Sequence, residues 1–174
     1  MDPAISFATN DDLLEITALV NSAYRGNEAR KGWTHEADLI EGSLRTDVDS
    51  LKAELSNPNA VILKYTDHQK IIGTVFLEKI DSKLYLGMLS VLPDIQARGI
   101  GRKLLQASEN YAREQGCQKI EMTVISVRKE LIAWYERNGY QITGETRPFH
   151  DDGRFGIPRQ KIEFIVMEKE VGGL

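Results

Sequence analysis

A mixed α/β sheet of about seven strands, with helices on both faces, is the fold this sequence predicts. Three observations carry the prediction. Three apolar runs, Ala60–Tyr65, Ile71–Lys79 and Lys83–Leu92, follow one another across short polar turns and read as an antiparallel meander. Strand and helix patterns then alternate to the end of the chain. A short glycine-containing turn, Gln96-Ala97-Arg98-Gly99-Ile100-Gly101, joins the third run directly to a helical pattern over Arg102–Gln115.

Each element has a local cause. Ile5-Ser6-Phe7-Ala8 alternates over the length of an edge strand. Thr9 or Asn10 can cap a helix whose first turn holds Asp11 and Asp12; Leu13, Ile16, Leu19, Val20, Ala23 and Tyr24 recur at helical spacing. Residues 25–32 are polar and read as a loop. Trp33–Ile40 predicts a second short helix capped by Thr34, and a third begins at Thr46 with Asp49 as a capping-box partner and Val48, Leu51 and Leu55 as its apolar face. Asn57-Pro58-Asn59 ends that helix. Turns at Thr66–Gln69 and Ile80–Ser82 separate the meander strands, and Gly73 marks a bulge or a close backbone approach. Beyond the glycine turn come a strand over Lys119–Ile125, a helix ending in Ala133–Tyr140, a strand over Tyr140–Thr146 and a last strand over Lys161–Lys169.

Composition narrows the class. With 174 residues, 41% hydrophobic and 28% charged, the chain is expected to form one domain over 1–174. A net charge of −4 argues against nucleic acid as the main partner. Cys117 is the lone cysteine and reads as a packing residue. Met1-Asp2-Pro3 opens no basic segment or long apolar run, so a cytoplasmic protein without membrane association is expected. His35 and His150 stand in no metal-binding spacing, and no metal is expected.

The glycine turn is the main chemical feature. A helix start leaves backbone N–H groups unpaired and concentrates the positive end of the helix dipole. Without side chains at Gly99 and Gly101, a bulky anion can approach that backbone. The dinucleotide pattern G-x-G-x-x-G is absent, because Leu104 stands three residues after Gly101, and so is the G-x-x-x-x-G-K-[ST] phosphate loop. Gln-x-x-Gly-x-Gly after Leu89-Ser90-Val91-Leu92-Pro93 instead resembles the coenzyme-A signature of the GCN5-related N-acetyltransferase (GNAT) superfamily. Ala-Trp-Tyr-Glu-Arg-Asn-Gly-Tyr, ending at Tyr140, resembles a second motif of that family, and the likeness spans roughly Tyr85 to Tyr140.

The resemblance implies a GNAT fold, acetyl-CoA as cosubstrate and acetyl transfer to a primary amine by direct attack. The diphosphate would sit on Gln96, Ala97, Arg98, Gly99, Ile100, Gly101 and Arg102; Leu89, Ser90 and Val91 would pair with the pantetheine arm; Arg128 stands at a position near it. Simple solvated charge accounts equally well for Arg98 and Arg102. Tyr135 matches the family's general acid, while Tyr140 reads as packing. Thr123 stands where some members carry a glutamate base. Glu121 shares its strand face by alternation and is the candidate substitute, acting through water; Glu36, Asp38 and Glu78 are other carboxylates to weigh.

Neutralising a lysine-like amine at pH 7 costs roughly 4–5 kcal/mol, an α-amine only about 1 kcal/mol. Without a firm base, weakly basic acceptors are favoured. The acceptor, a small molecule or a peptide amine, would lie against residues 24–46 and 148–159, with Tyr24, Trp33, Glu36 and Phe149 as contacts. A homodimer is compatible with the resemblance. The alternative reading is a module that binds acetyl-CoA or a small molecule without turnover.

Overall fold

The computed structural model describes residues 1–25, 29–33, 35–96, 98–149 and 155–172. Nine strands and four helices of four residues or more fall among them: β1 (Ile5–Phe7), α1 (Leu13–Tyr24), β2 (Ile40–Glu41), α2 (Val48–Leu55), β3 (Ala60–Asp67), β4 (Lys70–Ile80), β5 (Lys83–Val91), α3 (Ile100–Glu114), β6 (Lys119–Ile125), α4 (Lys129–Arg137), β7 (Gln141–Pro148), β8 (Ile157–Pro158) and β9 (Glu163–Glu170). Seven strands form one mixed sheet in the order β1-β3-β4-β5-β6-β9-β7. Within this sheet β5 and β6 run parallel and the other neighbours antiparallel; the last strand inserts between β6 and β7. The expected seven-stranded mixed sheet with helices on both faces is therefore observed.

Helical periodicity decides which helix covers which face. Leu13, Ile16, Leu19 and Val20 of α1 join Leu51 of α2 over Ile62 and Phe76. Leu104, Leu105 and Ala112 of α3 join Leu131 and Ile132 of α4 over Leu77, Leu84 and Ile120. Gly73 has both expected roles. The β3–β4 register shifts beside it, and a Cβ there would lie 3.0 Å from both Ile100 Cγ2 and Leu104 Cδ1, so α3 sits close on the sheet because the position is glycine.

Two local expectations are corrected. No helix forms over the described part of 33–40. The Leu39 and Ile40 N–H groups close one turn on the Glu36 carbonyl, the His35 ring accepts from the Ala37 N–H, and Ile40–Glu41 then pair with β8. Burial of Ile40 with Ile125 and Ile162 outweighs helix propensity. The Thr34 cap and His150 lie outside the described residues. For α2 the cap is Asp47, whose carboxylate accepts from Ser50 N at 2.7 Å, in place of Thr46. No helix among the described residues is long and apolar enough to cross a membrane.

Candidate active site

The sheet opens where β5 meets β6. The two strands pair only over Lys83–Tyr85 and Lys119–Glu121, then part. A bulge in β5 lies just beyond the separation. Thr74 faces Ser90 and Phe76 faces Gly87, so Met88 and Leu89 crowd opposite Val75, with Met88 at φ 50°. The Tyr24 hydroxyl donates to the Leu89 carbonyl and fastens the kink to the end of α1. Ser90 is buried, and its hydroxyl donates to the Met88 carbonyl at 3.0 Å.

One cavity, of about 270 Å³, lies on the α3 side of this opening. Leu89, Val91, Gln96, Gly99, Ile100, Gly101 and Arg102 line it, as do Trp33 and Trp134. Gly99 adopts φ 78° as the N-cap of α3, and no side chain caps the helix. Its first-turn N–H groups therefore have no intrahelical acceptor. A Cβ on Gly99 would meet no described atom within 4 Å, whereas one on Gly101 would touch the Trp134 ring at 3.4 Å. Gln96 has a bracing role that the motif did not reveal: its amide donates to the Val91 carbonyl at 3.1 Å and accepts from the Trp33 N–H at 3.0 Å. Arg98 is exposed outside the cavity lining, and Ala97 lies outside the described residues.

A second cavity, of about 330 Å³, lies on the far side of the opening. It holds Arg25, Glu36, Arg45 and Arg128, with Thr123, Tyr85, Phe149, Phe155 and Phe164 in its walls. Glu36 accepts from Arg25 Nε at 3.2 Å, and Arg128 Nη1 stands 3.9 Å from its other oxygen. Arg25 also donates to the Leu44 carbonyl at 3.0 Å and to the Phe155 carbonyl, and burial pulls its pKa below the usual arginine range. Gly156, at φ 109°, lets β8 pass this closely. Arg128, expected beside the pantetheine arm, lines this cavity; Trp33, expected at the acceptor, lines the first and stacks edge-on against Trp134 at 6.2 Å.

Four residues, Tyr24, Leu89, Leu131 and Tyr135, line both cavities and mark where they meet. Tyr135 is 6% exposed, with its ring edge-on to Trp134 at 5.1 Å and Tyr140 at 5.8 Å. Burial, and then the neighbouring Tyr24 and Tyr140, push its pKa well above the ordinary tyrosine value, against a downward pull from Arg128. Tyr24 is raised too, by burial and then Glu36, with Arg45 and Arg128 opposing. Both phenols keep their protons at neutral pH.

Glu121 is placed differently from the other candidates. It lines neither cavity. Its carboxylate accepts from Lys83 at 2.9 Å and from Arg147 at 2.8 Å. Burial alone would raise its pKa, but these two hydrogen bonds outweigh burial and hold it below the ordinary glutamate range. A carboxylate so held is a poor proton acceptor. Glu78 and Asp38 also lie outside the two cavities; Glu78 accepts from Asn57 and Asp38 from Arg30.

An open seam between parallel strands, with a helix N-terminus on one side and a lined cavity on the other, defines an α/β fold of the acyltransferase kind. The chain belongs to the acetyltransferase (GNAT) family, whose model matches residues 28–140. Human N-acetyltransferase 8B is 27% identical over 125 residues, which cover 68% of this chain and 54% of that protein. The chain thus spans about half the length of this curated relative. Among solved structures, the ribosomal-protein-S18-alanine N-acetyltransferase of Escherichia coli superposes with a TM-score of 0.72 at 15% identity, covering 98% of this chain and 94% of that one. The PaiA N-acetyltransferase of Thermoplasma acidophilum, solved in complex with coenzyme A, gives 0.67 at 20% identity, covering 95% and 97%.

Proposed function

We propose that the chain transfers an acetyl group from acetyl-CoA to a primary amine by direct attack. The carrying observation is that two cavities open from opposite sides of the split sheet and meet at Tyr135. The first fits the donor. Open space beside Gly99 and the uncapped start of α3 suit a diphosphate, with Arg102 alongside. The free edge of β5 beyond Tyr85 can pair with the amides of a pantetheine arm. Acetyl-CoA supplies the activated acyl group as a thioester.

The remaining steps belong to the chain's own side chains. Tyr135 Oη keeps its proton and donates a hydrogen bond to negative charge developing on sulfur. Leu131 and the Tyr24 ring help enclose the meeting point, which strengthens that hydrogen bond. Glu36 is the single carboxylate among the described residues of the second cavity, and it is held by Arg25 and Arg128. The amine therefore enters already neutral, which favours weakly basic acceptors.

Thiol release from acetyl-CoA over a panel of primary amines, beside calorimetry with coenzyme A, tests the reading. Amine-dependent thiol release with micromolar coenzyme-A binding supports it. Binding without release would establish the non-catalytic alternative, which Thr123 at the base position favours; no binding would remove the donor altogether.

A further inference from the structure

We propose that Trp33 is a donor-binding residue: its indole, set against that of Trp134, forms an aromatic wall of the first cavity that holds the pantetheine arm of the acyl donor. The inference rests on the acyltransfer reading above and deepens it on the donor side.

Anchorage is the first argument. Ala29 is buried, and its carbonyl accepts from the Gly32 N–H at 3.1 Å. Gly32 lies flat on the Gln96 amide: a Cβ there would stand 2.3 Å from Oε1 and 2.6 Å from Cδ, so a larger residue would have to displace that side chain. The Trp33 N–H donates to the same Oε1 at 3.0 Å, while Gln96 Nε2 donates to the Val91 carbonyl at 3.1 Å. One side chain thus ties the loop to the last residue of β5. The Trp33 indole is carried on a braced backbone, and a wall already in place costs a ligand little ordering.

Position is the second. Trp33 and Trp134 pack edge-on with ring centroids 6.2 Å apart, and both line the first cavity. Trp134 lies between the two ends of that cavity. A Cβ on Gly101, at the start of α3, would touch its ring at 3.4 Å, and its centroid is 5.1 Å from that of Tyr135. A donor with its diphosphate at Gly99 and its thioester at Tyr135 must lay the linking arm along this stretch. The arm's amides can pair with β5, and its hydrocarbon segments, the paired methyl groups above all, meet the indoles.

Exposure is the third. Trp33 lines the cavity and is still 40% exposed, which puts its indole at the rim. A large apolar ring fixed there presents area that an entering ligand covers. The sequence holds two tryptophans, and both stand in this one cavity, so their emission reads the donor site.

The test compares coenzyme A with phosphoadenosine diphosphate, the nucleotide half without the arm, by calorimetry, directly or in competition. Trp33→Ala should weaken coenzyme A at least tenfold and phosphoadenosine diphosphate less than twofold, with Trp33→Phe falling in between. Trp134→Phe leaves Trp33 as the one tryptophan; its emission should change when coenzyme A binds and stay constant with phosphoadenosine diphosphate. Three results overturn the inference and leave the acyltransfer reading standing: equal affinity of wild type and Trp33→Ala for coenzyme A, an equal loss for both ligands, or silent Trp33 emission while calorimetry shows coenzyme A bound. Should Trp134→Phe fail to fold, the affinities of Trp33→Ala decide alone. Failure of the wild type to bind coenzyme A removes the donor reading, and this inference with it.

Discussion

Replacing Tyr135 with phenylalanine removes one oxygen from the place where the two cavities meet and leaves the packing intact. The ring contacts to Trp134 and Tyr140 are edge-on aromatic contacts that phenylalanine preserves. What is lost is a donor that stays protonated, because burial holds the phenol well above its ordinary pKa. A hydrogen bond to a developing charge contributes roughly 1.5–3 kcal/mol, which corresponds to a fall in kcat of about 10- to 150-fold. KM for acetyl-CoA should stay within twofold, since Gly99 and the start of α3, proposed to take the diphosphate, are a separate part of the first cavity's lining. Steady-state thiol release at pH 7 measures both constants, and thermal melting supplies a control. Tyr135's folded pKa is raised, so its contribution to stability is complete below the unfolded value near 10 and declines as pH rises beyond it. Wild type and variant should therefore melt together at neutral pH, with the variant gaining on wild type above about pH 10. A fall in kcat of less than threefold would refute the role given to this hydroxyl.

Two further substitutions separate framework from chemistry. Glu121→Gln should leave kcat within twofold and lower Tm at pH 7 by roughly 2–4 °C, the equivalent of about 1 kcal/mol lost from its pairs with Lys83 and Arg147. Because its folded pKa is depressed, that contribution is present above the unfolded value near 4.3 and disappears as pH falls through the folded one, so the Tm difference between the two proteins should shrink as the pH is lowered below the unfolded value. Gly156→Ala places a Cβ 2.5 Å from Ile40 Cγ2 and 2.8 Å from the Glu41 carbonyl at φ 109°. Tm should drop by roughly 3–10 °C and acceptor KM should rise, with coenzyme-A affinity unchanged by calorimetry.

The parts legible in the sequence are those with a local cause. The meander follows from consecutive apolar runs, and α3 from its periodic Ile100, Leu104, Leu105 and Ala112. Tyr135 stands out through the motif around it. The bulge in β5 has no such signature: Met88 takes a left-handed φ without being glycine, and the distortion exists because of what packs on both sides. The two-residue pair β2–β8 joins segments more than a hundred residues apart, so Ile40 reads as helical until Pro158 lies beside it. Glu121 reads as available because alternation reveals a face and not the company on it; Lys83 and Arg147 arrive from two other strands. The arginine cluster likewise gathers Arg25, Arg45 and Arg128 from three distant stretches, which no spacing rule could assemble. Trp134, packed against the core, also meets the start of α3 at Gly101, a contact that joins two separate stretches of sequence.

The bulge and the opening are adjacent. The ladder with β6 stops after three pairs, at Tyr85, and β5 kinks three residues further on, at Met88. Lost pairing leaves buried donors and acceptors that need partners. Tyr24 satisfies one of them, at Leu89 O, and in doing so lines the meeting point of both cavities. Leu89 and Val91 of that edge line the first cavity, beside the uncapped helix start, and Leu86, Gly87 and Met88 line the second. A ligand that brought amides along β5 and an anion to Gly99 would complete both the sheet and the helix. The open backbone of the folded chain is thus complementary to an extended, amide-bearing diphosphate.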